Sequence, residues 1–143
     1  MFSKISLFVL SFGTLFTCSE AGPKTVMVVI SGKGGWQETD VKVKKGERIE
    51  IKAEGNVRVS RRSMGFVGPE GSTKESWIKR YNIVPEVPHG GIIAEIRPLG
   101  LPFFVGEHHI FQAEMDGILA FNVNDTDQEE NDGKFRVTIT RVD

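Results

Sequence analysis

The alternation of apolar residues most constrains how this chain can fold. From Thr25 onward, short segments carry an apolar residue at every second position and are separated by Gly, Pro, Asn or Asp. This spacing predicts β-strands, and no window carries a sustained helical stripe, so we expect no helix of more than three turns after residue 25. We expect six side chains to share one core: Phe135, Val137, Ile139, Ile49, Ile51 and Phe121.

The number of such segments predicts the fold class. They indicate about eight or nine short strands, which is typical of an all-β sandwich of jelly-roll or galactose-binding-like type. Residues 41–43 and 49–53 flank a turn at 44–47 and are predicted to form a hairpin. Residues 60–89 interrupt the alternation, and an irregular stretch of this length is usually functional or flexible.

Length and charge limit the classes of function. At 143 residues the chain is within the size of one domain, so we look for one site. Lys and Arg total 18 and Asp and Glu total 19, which gives a net charge of −1. A net charge this close to zero does not attract nucleic acid over the whole surface, and we expect no nucleic-acid partner.

The N-terminal residues predict export. Lys4 is followed by the apolar residues 5–16 and then by Cys18. A retained membrane span needs about 20 apolar residues, so this pattern indicates a signal peptide. The sequence before Cys18 resembles the lipobox of bacterial lipoproteins, which implies cleavage before Cys18 and its lipidation. Plain secretion with cleavage after Ala21 is the alternative.

These features give three regions. Residues 1–18 are predicted to be a lipoprotein-type signal peptide, 19–24 a linker, and 25–143 the sandwich domain. The expected location is a bacterial membrane, reached through a lipid anchor, or the secreted fraction. Cys18 is the single cysteine, so the folded domain has no disulfide.

An acidic loop at residues 122–133 is the strongest candidate for a binding site. It concentrates carboxylate and amide oxygens between two predicted strands. Ca²⁺ takes about six to eight oxygen ligands, and one loop can supply many of them. The loop is not an EF-hand, because Glu130 stands where that motif requires Gly and Arg136 where it requires Glu. A solvated acidic turn is the alternative reading.

Several short segments together resemble the PA-IL family of galactophilic, calcium-dependent bacterial lectins. They occur in matching order and span nearly all of residues 25–143. The segments are WQET at 36–39, VKKGERIEIKAEG at 43–55, GPEG at 68–71, PHGGII at 88–93, VG at 105–106, GIL at 117–119, ND at 124–125 and NDG at 131–133. The resemblance implies a β-sandwich in which one calcium ion is coordinated directly by sugar hydroxyls.

The resemblance also implies a ligand set. Asp125 matches the main carboxylate ligand and Asn131 an amide ligand, while Glu130 stands in place of an Asn and still offers an oxygen. The backbone carbonyl of Val59 matches a further ligand. The loop is about two residues shorter than in the lectins, so the family's mid-loop carbonyl ligand is assigned only loosely, to Asp127 or its neighbour Gln128.

One departure weakens the specificity that the resemblance implies. The His and Gln that contact sugar in the family after Gly-Pro-x-Gly have no counterpart, since residues 72–88 contain neither. Galactose specificity is therefore not carried over. The expected function is a calcium-dependent carbohydrate-binding module on an exported lipoprotein. The alternative is a surface adhesin or envelope structural protein that lost sugar binding and uses a protein ligand on a cell surface.

Aromatic, histidine and arginine residues outside the acidic loop have both a structural and a functional interpretation. The rings of Trp77 and Tyr81 either plug the end of the sandwich or stack on a sugar. Adjacent His108 and His109 are expected to point to opposite faces of a strand, which argues against a shared metal. His89 is interpreted as structural. The remaining cluster, Arg58, Arg61 and Arg62, is a charged turn or an anion-binding patch. Without a recognisable catalytic motif, we do not expect an enzyme.

Overall fold

The computed structural model describes residues 13, 24–59, 65–74 and 76–143. The predicted signal peptide with Cys18, most of the linker, and Arg61 and Arg62 therefore lie outside the described residues. Within these residues, no helix is long and apolar enough to cross a membrane.

The described chain is built almost entirely from strands. One short 3₁₀ helix, Ser76–Tyr81, lies in the irregular stretch after residue 60. The strands are β1 Thr25–Ser31, β2 Gln37–Val43, β3 Arg48–Arg58, β4 Phe66–Val67, β5 Ile92–Arg97, β6 Phe103–Phe104, β7 His108–Gln112, β8 Gly117–Val123 and β9 Asp132–Val142. Two antiparallel sheets result, which confirms the predicted β-sandwich.

The larger sheet is organised around two long strands. Its order is β1-β9-β3, and β3 then pairs with β7 along its first half and with β4 at its far end. The smaller sheet has the order β2-β8-β5-β6. β9 pairs with both β1 and β3, so the C-terminal strand lies inside the larger sheet.

The predicted hairpin at residues 41–53 is wrong. β2 pairs with β8 in the smaller sheet, whereas β3 pairs with β9 and β7 in the larger one. The turn at 44–47 carries the chain from one sheet to the other. Alternation marks the face that is buried but not the strand that pairs, so a hairpin and a crossing between sheets have the same pattern.

The core lies between the two sheets and confirms the predicted set. Phe135, Val137 and Ile139 of β9 are buried. Ile49 and Ile51 of β3 face them from the next strand, and Phe121 of β8 comes from the opposite sheet. All six belong to one apolar cluster, which agrees with the face assignment made from the period of two.

Hydrogen bonds distinguish the two ends of the sandwich. At the first, which we call the N-terminal end, the N–H of Arg141 donates to the carbonyl of Lys24 at 2.8 Å and its guanidinium donates to the carbonyl of Lys42 at 2.6 Å. At the second, the loop end, Asn131 donates to the carbonyl of Gly32 at 3.0 Å. The acidic loop lies at the loop end.

Candidate functional site

The acidic loop begins as a buried extension of β8. Asn124 is fully buried, and its side chain holds a neighbouring segment in place. Its Oδ1 accepts from the N–H of Val84 at 2.8 Å, while its Nδ2 donates to the carbonyls of Val87 at 2.9 Å and Val84 at 3.1 Å. The loop and residues 82–88 are therefore fixed to one another.

The Asp125 carboxylate is the centre of the site. It is buried, with 3% of its surface exposed, and each oxygen accepts one hydrogen bond. Oδ1 accepts from the N–H of Asp127 at 2.9 Å, and Oδ2 accepts from Nδ2 of Asn131 at 2.9 Å. Asn131 is equally buried. The two predicted ligands at the centre of the site thus lie side by side, although they are six positions apart in sequence.

His89, which the sequence analysis interpreted as structural, lies beside the Asp125 carboxylate. Its Nε2 lies 3.8 Å from Oδ2 of Asp125, and both side chains are 3% exposed. Its Nδ1 lies 2.8 Å from Oδ1 of Asn82, whose Nδ2 donates to the carbonyl of Val87. Because Asn82 Oδ1 is an acceptor, Nδ1 carries the proton and Nε2 faces the carboxylate.

The electrostatics of this pair follow from burial. Burial lowers the pKa of the His89 imidazole, and the charge of Asp125 opposes that shift. A neutral imidazole then presents a lone pair toward a carboxylate across 3.8 Å, which is beyond hydrogen-bond distance. The space beside Asp125 therefore favours a positive charge. No sequence signal placed His89 here, since it lies far from the acidic loop along the chain.

The other predicted ligands occupy the margins of the site. Glu130 is exposed and Asp127 is half-buried. Val59 is buried, and its Cγ1 lies 3.0 Å from the position of a Cβ built on Gly90. Since the N–H of Gly90 donates to the carbonyl of Asn124 at 3.1 Å, Val59 lies close to the start of the acidic loop.

Two nitrogen donors, the backbone N–H of Asp127 and Nδ2 of Asn131, contact the Asp125 carboxylate. Nδ2 of Asn131 bridges the Asp125 carboxylate and the Gly32 carbonyl. A 180° rotation of that amide would place Oδ1 there instead and bring three oxygens to one point. Within the described parts of the chain, no three His, Cys, Asp or Glu side chains converge as a metal-binding group. An ion at this place would therefore depend on amide and carbonyl oxygens beside one carboxylate, a set that fits Ca²⁺.

The 3₁₀ helix flanks the acidic loop. The carbonyl of Tyr81 accepts from the N–H of Thr126 at 2.7 Å, which fixes the end of the helix to the residue after Asp125. Trp77 is 45% exposed and meets Tyr81 edge to face at 6.5 Å. The guanidinium of Arg80 lies over both rings. Trp77 is therefore not a buried plug, and an aromatic surface lies beside the site.

The two adjacent histidines do face opposite sides of β7. His108 is exposed and lies 2.8 Å from Glu50, whose pKa this hydrogen bond lowers. His109 is half-buried, stacks on Phe111 and contacts Phe103 in a tilted arrangement. The two imidazoles therefore do not converge on one centre. Arg58, the described member of the arginine cluster, lies 4.0 Å from Asp132, which is typical of a solvated charged turn.

Comparison with known proteins supports the architecture. Neither a family model nor a curated protein gives a significant match to this chain. The fold is similar to a solved structure described as the EclA N-terminal domain, a PllA-like lectin, with a TM-score of 0.64 and 22% sequence identity. The match covers 83% of this chain and 98% of that one. The chain thus shares the β-sandwich fold of a lectin domain.

Proposed function

We propose that this protein is a non-catalytic carbohydrate-binding module that recognises a glycan through a calcium ion at the loop end. The observation that carries the proposal is the buried Asp125 carboxylate, which lies beside Asn131 and the Gly32 carbonyl. The likeness to a lectin domain over nearly all of that domain supports the same class of function.

Among the described residues, His89 is the one cationisable side chain within 4 Å of the Asp125 carboxylate. Burying a carboxylate is costly unless it is paired with a positive charge. Burial favours the neutral form of His89, so the imidazole is a poor counter-ion. Asp125, Asn131 and the Gly32 carbonyl would hold Ca²⁺, with Asp127, Glu130 and the Val59 carbonyl as the further ligands. Bound calcium supplies coordination positions that sugar hydroxyls can fill.

The residues around the loop suit a sugar. Thr126, Glu129 and Glu130 are exposed and border the buried pair. Trp77 lies in the 3₁₀ helix whose last residue, Tyr81, is hydrogen-bonded to Thr126, and its exposed ring is of the kind that stacks on the apolar faces of sugars. Residues 72–88 lack His and Gln, so the sugar contacts here differ from those of the galactophilic lectins.

Calcium-dependent stability tests the metal step. A ligand that binds only the folded state stabilises it by about 2.7 kcal/mol at a hundredfold excess over its dissociation constant. We expect thermal melts with calcium and with chelator to differ for the wild-type protein and to coincide for Asp125→Asn. Asp40→Asn, an exposed carboxylate on β2, is the matched control and should keep the full calcium increment. Identical wild-type melts would remove the metal and the proposed sugar mechanism with it.

Glycan binding tests the second step. On a glycan array, wild-type protein and Asp40→Asn should give the same calcium-dependent hits, and Asp125→Asn should give none. The missing His and Gln favour one alternative, a surface adhesin or envelope protein that binds a protein ligand. An array without calcium-dependent hits, together with recovery of a specific protein ligand, would support that alternative.

We also propose that the module is exported and anchored through lipidated Cys18. The mature protein should then partition into the detergent phase, and Cys18→Ala should release it or stall its processing. Lipid chains contribute about 0.8 kcal/mol per buried methylene, so several chains hold a protein firmly on a membrane. A mature N-terminus at Gly22 without added mass would instead establish plain secretion.

A further inference from the structure

Two leucines at the N-terminal end are almost fully exposed. Leu99 and Leu101 are 81% and 85% exposed, more than the other large apolar side chains of the described residues. They lie in the connection between β5 and β6, which pair as a hairpin. The N–H of Gly100 donates to the carbonyl of Ile96 at 2.6 Å, which closes a tight turn beneath Leu99. A defined turn therefore presents two apolar side chains to the surroundings.

The strand registers place this turn at the end of the domain where the chain enters. Arg97, the last residue of β5, is opposite Ile118, which is opposite Lys42 on β2. Arg141 donates to the carbonyl of Lys42 and also to that of Lys24. Lys24 and the leucine turn therefore lie at the same end of the sandwich.

The acidic loop lies at the other end. β8 runs from Gly117 at the N-terminal end to Val123, which is followed directly by Asn124 and Asp125. A strand rises about 3.3 Å per residue, so β8 alone separates the two ends by about 20 Å. The candidate site and the leucine turn thus lie at opposite ends of the sandwich.

The sequence sets how far the domain can lie from a lipid on Cys18. Six residues lead from Cys18 to Lys24. An extended chain spans at most about 3.6 Å per residue, so Lys24 lies within about 22 Å of the anchored cysteine. A tether this short keeps the N-terminal end of the domain close to the bilayer.

We propose that Leu99 and Leu101 insert into the surface of the bilayer that holds the lipid anchor, so that the acidic loop points away from the membrane. The inference rests on the anchored form of the protein proposed above. Exposed Lys44 and Lys45 lie at the same end as exposed Glu114 and Asp116, so the charge there is mixed. The apolar side chains rather than net charge therefore determine the contact, and two leucines orient a domain that the lipid retains.

A polarity-sensitive probe tests the contact in the mature protein. Lipidation modifies the thiol of Cys18, and plain secretion removes Cys18 together with the signal peptide. A cysteine introduced into the full chain is therefore the single reactive thiol of the mature protein. We would label Leu99→Cys with a nitrobenzoxadiazole dye and reconstitute the protein in neutral phosphatidylcholine vesicles that carry brominated acyl chains. The matched control is Lys33→Cys, an exposed position next to Gly32 at the loop end.

The expected result is a blue-shifted emission and strong quenching by brominated lipid at position 99, with neither at position 33. Adding Leu101→Ser to Leu99→Cys should reduce the quenching severalfold if the two leucines insert together. Equal quenching at 99 and 33, no quenching at 99, or quenching at 99 that Leu101→Ser leaves unchanged would each overturn the proposal. Detergent-phase partitioning of the Leu99→Cys protein reports on the lipid anchor, and calcium melts of Asp125→Asn report on the glycan site, so failure of the leucine contact is distinguishable from failure of either proposal above.

Discussion

The Asn124 side chain offers a sharp test of how the loop end is held together. It makes three hydrogen bonds of 2.8 to 3.1 Å to the backbone of Val84 and Val87 from a fully buried position. Each such bond contributes about 1 kcal/mol net, and a buried partner left unsatisfied costs about 1 to 3 kcal/mol. Asn124→Ala should therefore lower the free energy of unfolding by about 3 kcal/mol.

That loss is measurable by thermal and urea denaturation without added calcium. For a domain of this size, 1 kcal/mol corresponds to about 4 °C, so the melting temperature should fall by about 12 °C. The urea midpoint should fall while the slope stays constant. The control Asn56→Ala removes an exposed amide from β3 and should stay within about 0.5 kcal/mol of wild type. A loss at Asn124 no larger than that at Asn56 would refute the view that this amide joins residues 82–88 to the acidic loop.

Two further predictions concern the larger sheet. A Cβ on Gly55, at φ +100°, would lie 2.7 Å from the carbonyl oxygen of Lys134, whereas Gly46 at φ +92° has open space around it. Urea denaturation should therefore show a loss of about 1 to 3 kcal/mol from backbone strain for Gly46→Ala and a larger loss for Gly55→Ala, and equal losses would contradict the clash. The hydrogen bond from His108 lowers the pKa of Glu50, so its contribution to stability is present above the ordinary carboxyl pKa and is lost as the pH falls through the lowered value. In a carbon-13 NMR titration, His108→Ala should raise the pKa of Glu50 toward its ordinary value, and an unchanged pKa would exclude the hydrogen bond as the cause.

The fold class followed from the sequence because alternation reports directly on burial. In β9 the period of two assigned Phe135, Val137 and Ile139 to the inner face, where they lie. The pairing of the strands could not be predicted in the same way. The residues of β2 and β3 are compatible both with a hairpin and with a connection between two sheets. The partner of β2 is β8, which lies far along the chain, and no local pattern identifies it.

The candidate site was predictable where its residues share one loop. Asp125 and Asn131 were selected because their side chains carry oxygens that can bind a cation. In the structure, Nδ2 of Asn131 lies 2.9 Å from Oδ2 of Asp125. Gly32 and His89 were not selected as members of the site, because they reach it through the packing of other segments. The Gly32 carbonyl has no side chain to signal it, and His89 has glycines as its following neighbours and no acidic residue beside it.

The position of β9 has a consequence for when the domain can form. This strand is synthesised after the other eight, yet it lies between β1 and β3 in the larger sheet. When β1 to β8 have left the ribosome, the strand that joins β1 and β3 is still missing. The larger sheet is therefore complete only after β9 emerges. Pairings between distant segments also form slowly. The topology therefore delays completion of the larger sheet until β9 has emerged, whereas the smaller sheet contains no strand later than β8.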